Sequence, residues 1–323
     1  MKVVRFEEIG GPEVLQYTDG YLAAPGEGEV QVRHRAIGLN YIDTYHRSGL
    51  YAVPLPSGIG LEASGVIEEL GAGVKGFKVG DRVAYGTGPL GAYSEVRNFP
   101  ANRLVKLPRE ISDETAAGMM LKGMTARYLL RATYKVKRGD TILLHAAAGG
   151  VGQILSQWAK SLGARVIGTV GSDEKMAIAR AQGCAEVINY STENVVTRVR
   201  ELTQGKGVPV VYDGVGQATF ATSLDCLAPR GLLVSFGNAS GPVKSFNLGD
   251  LASRGSLYVT RPTLFNYTAT DADFQETAAD LLDVVKAGKV IIPVNQRYAL
   301  KDAGLAHRDI EARKTTGTTV LLP

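Results

Sequence analysis

The chain has 323 residues, enough for about two domains of roughly 150 residues each and for cores that need no disulfide or metal to hold them. Its 45% hydrophobic and 21% charged content excludes a disordered chain or a collagen-like fibre. A net charge of +4 without a basic block argues against nucleic acid as the main partner, and two cysteines, Cys184 and Cys226, are too few for a disulfide scaffold or a Cys-rich zinc site.

The start of the chain carries charges where a signal peptide needs its apolar stretch, and no uninterrupted apolar run reaches the roughly 18 residues of a membrane span. This predicts a cytoplasmic protein with no membrane partner, in keeping with two reduced, scattered cysteines. Residues 1 to about 120 read as mostly β. The runs 2–6, 30–37, 65–70 and 82–85 are rich in β-branched residues, and glycine-rich punctuation recurs at 10–11, 71–81 and 86–92. That pattern suits a barrel-like domain with tight turns.

From residue 112 the texture changes. Residues 112–135 have helical spacing, with Ser112 or Asp113 as N-cap. Strands at 141–146, 164–170, 185–190, 208–215, 231–237 and 255–261 then alternate with helices at 151–163, 174–183, 193–204 and around 221–227. Six strands with helices between most of them predict an α/β, doubly wound parallel sheet of the Rossmann type. A helix near 271–287, a strand at 290–300, a helix at 301–313 and a strand at 317–323 close the chain. The last strand lies outside the Rossmann unit and is expected to fold back onto the first domain.

Glycine is densest between the first strand and helix of that unit, in His145-Ala-Ala-Ala-Gly149-Gly150-Val151-Gly152. Against the dinucleotide pattern G-x-G-x-x-G, Ala147 takes the first glycine position and Gly149 and Gly152 the other two. Small residues admit a pyrophosphate, and a helix N-terminus stabilises its charge. An NAD site usually places Asp or Glu about 20 residues beyond the fingerprint. Here the strand runs into Gly171-Ser172-Asp173-Glu174-Lys175, so it ends without an acid. The Ser172 hydroxyl and Lys175 ammonium suit a 2′-phosphate, and NADP(H) is favoured over NAD(H). The alternative for Lys175 is an ordinary exposed helix lysine, its charge partly offset by Asp173 and Glu174.

Other chemistry is missing. His34, His46, His145 and His307 sit far apart without ligand-like spacing, so each is read as structural. No Tyr-x-x-x-Lys pair, G-x-S-x-G or G-x-x-x-x-G-K-[ST] occurs. Hydride transfer without metal or obvious acid–base apparatus fits an electron-poor acceptor, such as a quinone or an activated alkene, because the cofactor carries the hard chemistry.

End to end, the chain resembles the zinc-free medium-chain dehydrogenases/reductases of the quinone oxidoreductase (zeta-crystallin-like) family. The residues that carry the resemblance include those at 10–15, 38–51, 55–65, 80–85, 145–153, 188–190, 210–216, 232–241 and 255–262. Zinc-dependent relatives carry Gly-His-Glu where this chain has Gly60-Leu61-Glu62, so Leu61 replaces a ligand. The resemblance implies a GroES-like, mostly-β catalytic domain (1–122 and 267–323), a Rossmann NADP-binding domain (123–266), and NADPH in the cleft between them. It also implies a homodimer, formed by pairing the edge strand near 255–262 with its twin.

By motif position, the resemblance implies that Asn40, Tyr41, Ile42, Asp43, Thr44 and Tyr45 line the nicotinamide end, with Tyr128 nearby. Gly149, Gly150, Val151 and Gly152 hold the pyrophosphate, and Gly171, Ser172, Lys175 and Tyr190 surround the adenosine phosphate. Phe236, Gly237, Asn238 and Ala239 approach from a later strand end, and Arg313 is a further contact. Gly214 departs from the pattern, since relatives tend to carry Ser there, which leaves only backbone contact. Asn40, Tyr45 and Tyr51 are the candidate catalytic residues, orienting the acceptor and hydrogen-bonding its carbonyl oxygen. For each tyrosine the alternative is half-buried packing with a satisfied hydroxyl.

The expected activity is NADPH-dependent reduction of quinones without a metal. The alternatives are reduction of enones or enoyl compounds, and a non-catalytic NADPH-binding protein of crystallin- or RNA-binding type. Absence of an aromatic–basic RNA motif argues against the last.

Overall fold

The structure, a computed structural model, describes residues 1–323 and separates into two units. The first is built from Met1–Met124, Thr268–Lys286 and Ile292–Pro323, the second from Thr125–Tyr267 and Ala287–Ile291.

Strands β1 (Lys2–Phe6), β2 (Gln16–Asp19), β3 (Glu29–Leu39), β4 (Ser57–Gly58), β5 (Glu62–Leu70), β6 (Arg82–Tyr85), β7 (Val96–Pro100) and β8 (Val105–Lys106) begin the first unit. β3 alternates sides in its first half, burying Val30 and Val32, and then buries Ala36, Ile37, Gly38 and Leu39 in a row. It pairs antiparallel with both β5 and β7, so its apolar residues meet Ile67, Val83, Tyr85, Tyr93 and Phe99 in one core. Between β3 and β4 lies helix α1 (Tyr41–Arg47), which the β-rich reading of this region does not include. Tyr, Ile and Thr favour strands locally. Here burial of Asp43, Thr44, Tyr45, His46 and Arg47, with Asn40 at the N-cap, outweighs that preference.

Helix α2 (Asp113–Tyr128) starts where Ser112 Oγ accepts the Thr115 amide, so Ser112 is the capping residue. The helical pattern expected through 135 changes to a π-helical turn at Leu129–Thr133 and ends there. The second unit then alternates β9 (Thr141–Leu144), α3 (Gly150–Ser161), β10 (Arg165–Val170), α4 (Asp173–Ala181), β11 (Glu186–Asn189), α5 (Val195–Leu202), β12 (Val208–Asp213), α6 (Phe220–Cys226), β13 (Leu227–Ser235), α7 (Gly249–Ser253), β14 (Tyr258–Thr260) and α8 (Leu264–Tyr267). All adjacent pairs are parallel and the spatial order is β11-β10-β9-β12-β13-β14. In order of appearance this is 3-2-1-4-5-6, the dinucleotide-binding order, with its switch point between β9 and β12.

The C-terminal segment adds α9 (Asp271–Lys286), β15 (Val294–Ala299), α10 (Ala303–Glu311) and β16 (Thr318–Leu322). β16 pairs antiparallel with β3 and parallel with β15, which completes the seven-stranded sheet of the first unit. The strand expected at 290–300 is shorter than its apolar run. Residues Ala287–Ile291 belong to the second unit, where Gln157 bonds both the Ile291 amide (2.8 Å) and carbonyl (2.9 Å).

Candidate functional site

In the second unit the chain reverses at the carboxyl end of β9 through Ala146, whose φ of 54° is a left-handed conformation unusual for alanine. Gly149 stands at the N-cap of α3, and no side chain caps the helix. The first-turn amides of Gly150, Val151 and Gly152 therefore have no intrahelical acceptor and face the end of the sheet. Gly152 has no room for a side chain: a Cβ would lie 2.8 Å from the Ala147 carbonyl oxygen and closer still to that of Ala146. An uncapped helix start beneath a tight, strained turn suits the pyrophosphate of a dinucleotide.

The next strand ends build a second pocket wall. Ser172 Oγ accepts the Lys175 amide at 3.4 Å and caps α4. Asp173 is engaged by Asn189 Nδ2 at 2.8 Å, so the acid nearest Ser172 is already held by its own hydrogen bond. The Tyr190 ring is half exposed and lies so close to Gly171 that a Cβ there would meet its hydroxyl. Ser191 Oγ donates to the Gly171 carbonyl at 3.0 Å and ties the two strand ends together.

At the end of β12, buried Asp213 accepts from the amides of Val215 (2.8 Å) and Gly216 (3.1 Å) and from the hydroxyls of Thr219 (2.7 Å) and Ser223 (2.8 Å). These bonds fix the turn that holds Gly214. A Cβ on Gly214 would stand 3.0 Å from the Phe236 ring, so glycine lets that ring pack against the backbone. Gly237 is pressed against Gly214, and the Ala239 amide donates to the Gly214 carbonyl at 3.4 Å, with Asn238 buried between them in sequence. Five separate segments thus converge at the carboxyl ends of the strands. Tyr128, at the end of α2, is buried and stacks on Tyr267 with centroids 4.6 Å apart.

In the first unit, Tyr41, Ile42, Asp43, Thr44 and Tyr45 all lie on α1. Tyr45 contacts Tyr41 (centroids 5.5 Å) and Tyr51 (5.2 Å), so the structure brings two of the candidate catalytic residues into one aromatic cluster. Tyr51 is placed there by its amide, which donates to the Tyr45 carbonyl at 3.1 Å. Asn40 turns elsewhere. It is 3% exposed and its Nδ2 donates to Glu62 Oε2 at 2.7 Å. Arg313 follows α10 with φ of 58° and is exposed.

Glu62 and Lys122 escaped the sequence reading. The fully buried Glu62 carboxylate accepts from Lys122 Nζ (3.2 Å), the Leu121 amide (2.8 Å) and Asn40, and so joins β5, α2 and the cap of α1. Gly38 makes room for it, since a Cβ on β3 would collide with the Glu62 carboxylate and the Ala117 carbonyl. Arg47 and Tyr93 were also missed, because they meet His307, which the sequence gives only as structural, after residues far apart along the chain are packed together. Glu62 and Asp213 both stand inside quoted motifs; nothing in the spacing marks Lys122, Tyr93 or His307.

The histidines are structural. His34 bonds the Ser94 carbonyl (2.7 Å) and Tyr85 (2.9 Å), and burial pushes its pKa down to about 3. His145 bridges Thr169 (2.8 Å) and Ser223 (3.0 Å). His307 lies between Arg47 and Tyr93, and burial, with the Arg47 charge, pushes it down to about 3. His46 is mostly buried with its ring edge toward Tyr51 at 6.1 Å.

Two family patterns match the chain: "Alcohol dehydrogenase GroES-like domain" over residues 26–109 and "Zinc-binding dehydrogenase" over residues 150–284. A quinone oxidoreductase of Pseudomonas aeruginosa is 59% identical over 323 residues, covering 100% of this chain and 99% of that protein. The chain belongs to the quinone oxidoreductase family of medium-chain dehydrogenases/reductases. Within that family, the crystal structure of Escherichia coli quinone oxidoreductase complexed with NADPH superimposes with a TM-score of 0.98 at 51% identity, each chain covered in full. A 2-haloacrylate reductase of Burkholderia is 47% identical, covering 97% of this chain and 96% of that protein.

The zinc in the second pattern's description does not fit the donors present here. No group of three or more His, Cys, Asp or Glu is arranged to hold a metal. Both cysteines are buried, and burial pushes their thiols up to about 11 (Cys184) and about 12 (Cys226), away from the thiolate a metal needs.

Proposed function

We propose that this chain reduces quinones with NADPH by direct hydride transfer, using no zinc ligand of its own. The observation that carries the proposal is a 3-2-1-4-5-6 parallel sheet whose carboxyl ends share one edge with the uncapped N-terminus of α3. The family's NADPH complex supports the choice of cofactor. NADPH, when bound, supplies the hydride.

The protein's own groups bind and orient. Backbone amides at Gly150, Val151 and Gly152, within the small-residue turn that includes Gly149, hold the pyrophosphate. Ser172 and Lys175 bond the 2′-phosphate beside Gly171 and Tyr190, and the absence of an acid at the end of β10 removes the repulsion that favours NAD(H). Gly214, Phe236, Gly237, Asn238 and Ala239 contact the nicotinamide half by backbone and ring. Tyr41, Ile42, Asp43, Thr44, Tyr45, Tyr128 and Arg313 complete the cofactor contacts. Tyr45 and Tyr51 act on the acceptor, their hydroxyls donating to its carbonyl oxygen as charge develops there, while Asn40, held by Glu62, positions the start of α1.

NADPH oxidation measured with 1,4-benzoquinone, 9,10-phenanthrenequinone and a panel of enones tests the reading. Turnover with the quinones supports it. Faster turnover of the enones favours the alkene-reductase alternative, which the 2-haloacrylate reductase relative keeps in view. Tight NADPH binding with no oxidation by any acceptor replaces both with a non-catalytic binding protein. A Tyr45→Phe variant with unchanged turnover on several quinones removes that residue from the catalytic set.

The proposal includes a homodimer formed through β14. This strand is the edge of the six-stranded sheet and its Tyr258 is 61% exposed, which supports pairing with a second copy. Light scattering on the wild type and on Val259→Pro, which removes an edge amide, distinguishes dimer from monomer. No helix is long and apolar enough to cross a membrane. Cytoplasmic placement is part of the proposal and is read by cell fractionation.

A further inference from the structure

A buried chain of side chains in the first unit enters the steps above only through Asp43, whose place on α1 is all that those steps use. It runs from Glu311 through Arg47, His307 and Tyr93 to Asp43; Arg47 donates to both its neighbours, and from there the donors point toward Asp43. Arg47 is held by Glu311 through two bonds (2.7 and 3.1 Å) and can only donate, so His307 Nδ1 accepts from it at 3.2 Å. That fixes a neutral ring with its proton on Nε2. Nε2–H donates to the Tyr93 oxygen at 3.1 Å, and the Tyr93 hydroxyl donates to Asp43 Oδ2 at 2.9 Å. The Asn40 amide donates to the same oxygen at 2.9 Å.

Asp43 Oδ1 is buried and has no hydrogen-bond partner. The groups around this carboxyl come from five elements: Asn40 and Arg47 at α1, Tyr93 before β7, His307 on α10, Glu62 on β5 and Lys122 on α2. Neither cation among them is available to Asp43, since Arg47 pairs with Glu311 and Lys122 with Glu62. Glu62 adds a like charge. A fully buried carboxylate without its own cation holds a proton, and burial pushes the Asp43 carboxyl up to about 7.

We infer that Asp43 is a proton-holding positioning residue: with a proton on Oδ1 the carboxyl lies in the core without a bare charge, and loss of that proton leaves a buried anion that favours opening of the helix carrying Tyr45, where water can reach it. The inference rests on the reading that Tyr45 faces the acceptor. The acceptor then binds more weakly above neutral pH, although the hydride chemistry itself consumes a proton at every pH.

The test uses the whole enzyme with 9,10-phenanthrenequinone from pH 6 to 9. The wild type shows the acceptor KM rising by about threefold or more across neutrality, with a much smaller change in kcat. Asp43→Asn makes KM independent of pH over this range, whatever its absolute value. Tyr93→Phe removes a donor to the carboxylate and moves the inflection up by roughly one pH unit. Difference infrared spectra of the resting protein provide a readout without turnover: a protonated carboxyl band titrates near neutrality in the wild type and is missing in Asp43→Asn. An unchanged KM inflection in both variants, or no titrating carboxyl band that depends on Asp43, overturns the inference. If the infrared titration is present and quinones are not reduced, the proposed function fails while the proton on Asp43 stands.

Discussion

The sharpest perturbation available is Lys122→Met. Lys122 and Glu62 form an ion pair with side-chain exposures of 7% and 0%, and the same Glu62 oxygen holds Asn40. Removing the ammonium leaves a carboxylate in the core with only the Leu121 amide and the Asn40 side chain as donors. Stranding one member of a buried pair costs about 3–5 kcal/mol. At about 2–4 °C per kcal/mol, the transition that unfolds the first unit falls by on the order of 10 °C. Removing the charge as well reverses part of the loss. Glu62→Gln in the Lys122→Met background is expected to recover about 2 kcal/mol relative to the sum of the single variants. Calorimetry and circular dichroism at fixed pH read the melting temperatures, and quinone KM reports the orientation of Asn40. A single variant melting within a degree or two of wild type, or a double variant equal to the sum of the singles, refutes the view that this pair is coupled and holds the α1 cap.

Four further outcomes follow from the structure. Asp43, pushed up to about 7, binds a proton in the folded state that the unfolded chain has released above its ordinary value of 3.8, so its contribution falls as pH rises through that window, by at most about 4 kcal/mol; urea unfolding of wild type against Asp43→Asn at pH 5 and 8 reads the change, and a difference independent of pH contradicts it. His34 and His307 act in the opposite sense, since their contribution is present above the ordinary imidazole value of 6.5 and is lost as pH falls from there toward about 3. The double change Ser172→Ala, Lys175→Ala is expected to weaken NADPH binding about tenfold and leave NADH binding nearly unchanged, and equal loss for both cofactors in fluorescence titrations removes these residues from 2′-phosphate recognition. Gly152→Ala places a Cβ 2.8 Å from the backbone oxygen of Ala147, which cannot swing aside; it costs about 1–3 kcal/mol and most of the NADPH affinity, while wild-type binding by this variant argues against a cofactor at the α3 N-terminus.

Much of the second unit was legible in the sequence because its signals are local. A strand of apolar residues, a glycine turn and an amphipathic helix lie consecutively from Thr141 to Ser161, and the later units repeat the alternation of strand and helix. Gly171, Tyr190, Gly214 and Phe236 all fall just beyond the carboxyl ends of those strands, so their place in the fold could be read from the strand pattern. The scarcity of cysteine was equally readable, since a residue count needs no geometry.

The first unit depended on tertiary structure. Helix α1 is made of residues that prefer strands, and its helical state comes from burying Asp43, Thr44, Tyr45, His46 and Arg47. Lys122 and Glu62 are 60 positions apart, and Tyr93 and His307 are 214 apart, so no periodicity or spacing ties them together. Their pairing is decided by desolvation: a charge or hydroxyl inside the core must find its partner there, whichever part of the chain supplies it. Thus the sequence alone determined the fold class and the small-residue turn between β9 and α3. Only the folded chain decided which polar groups are buried together around α1, because a group's partners there are set by packing in three dimensions and not by order along the chain.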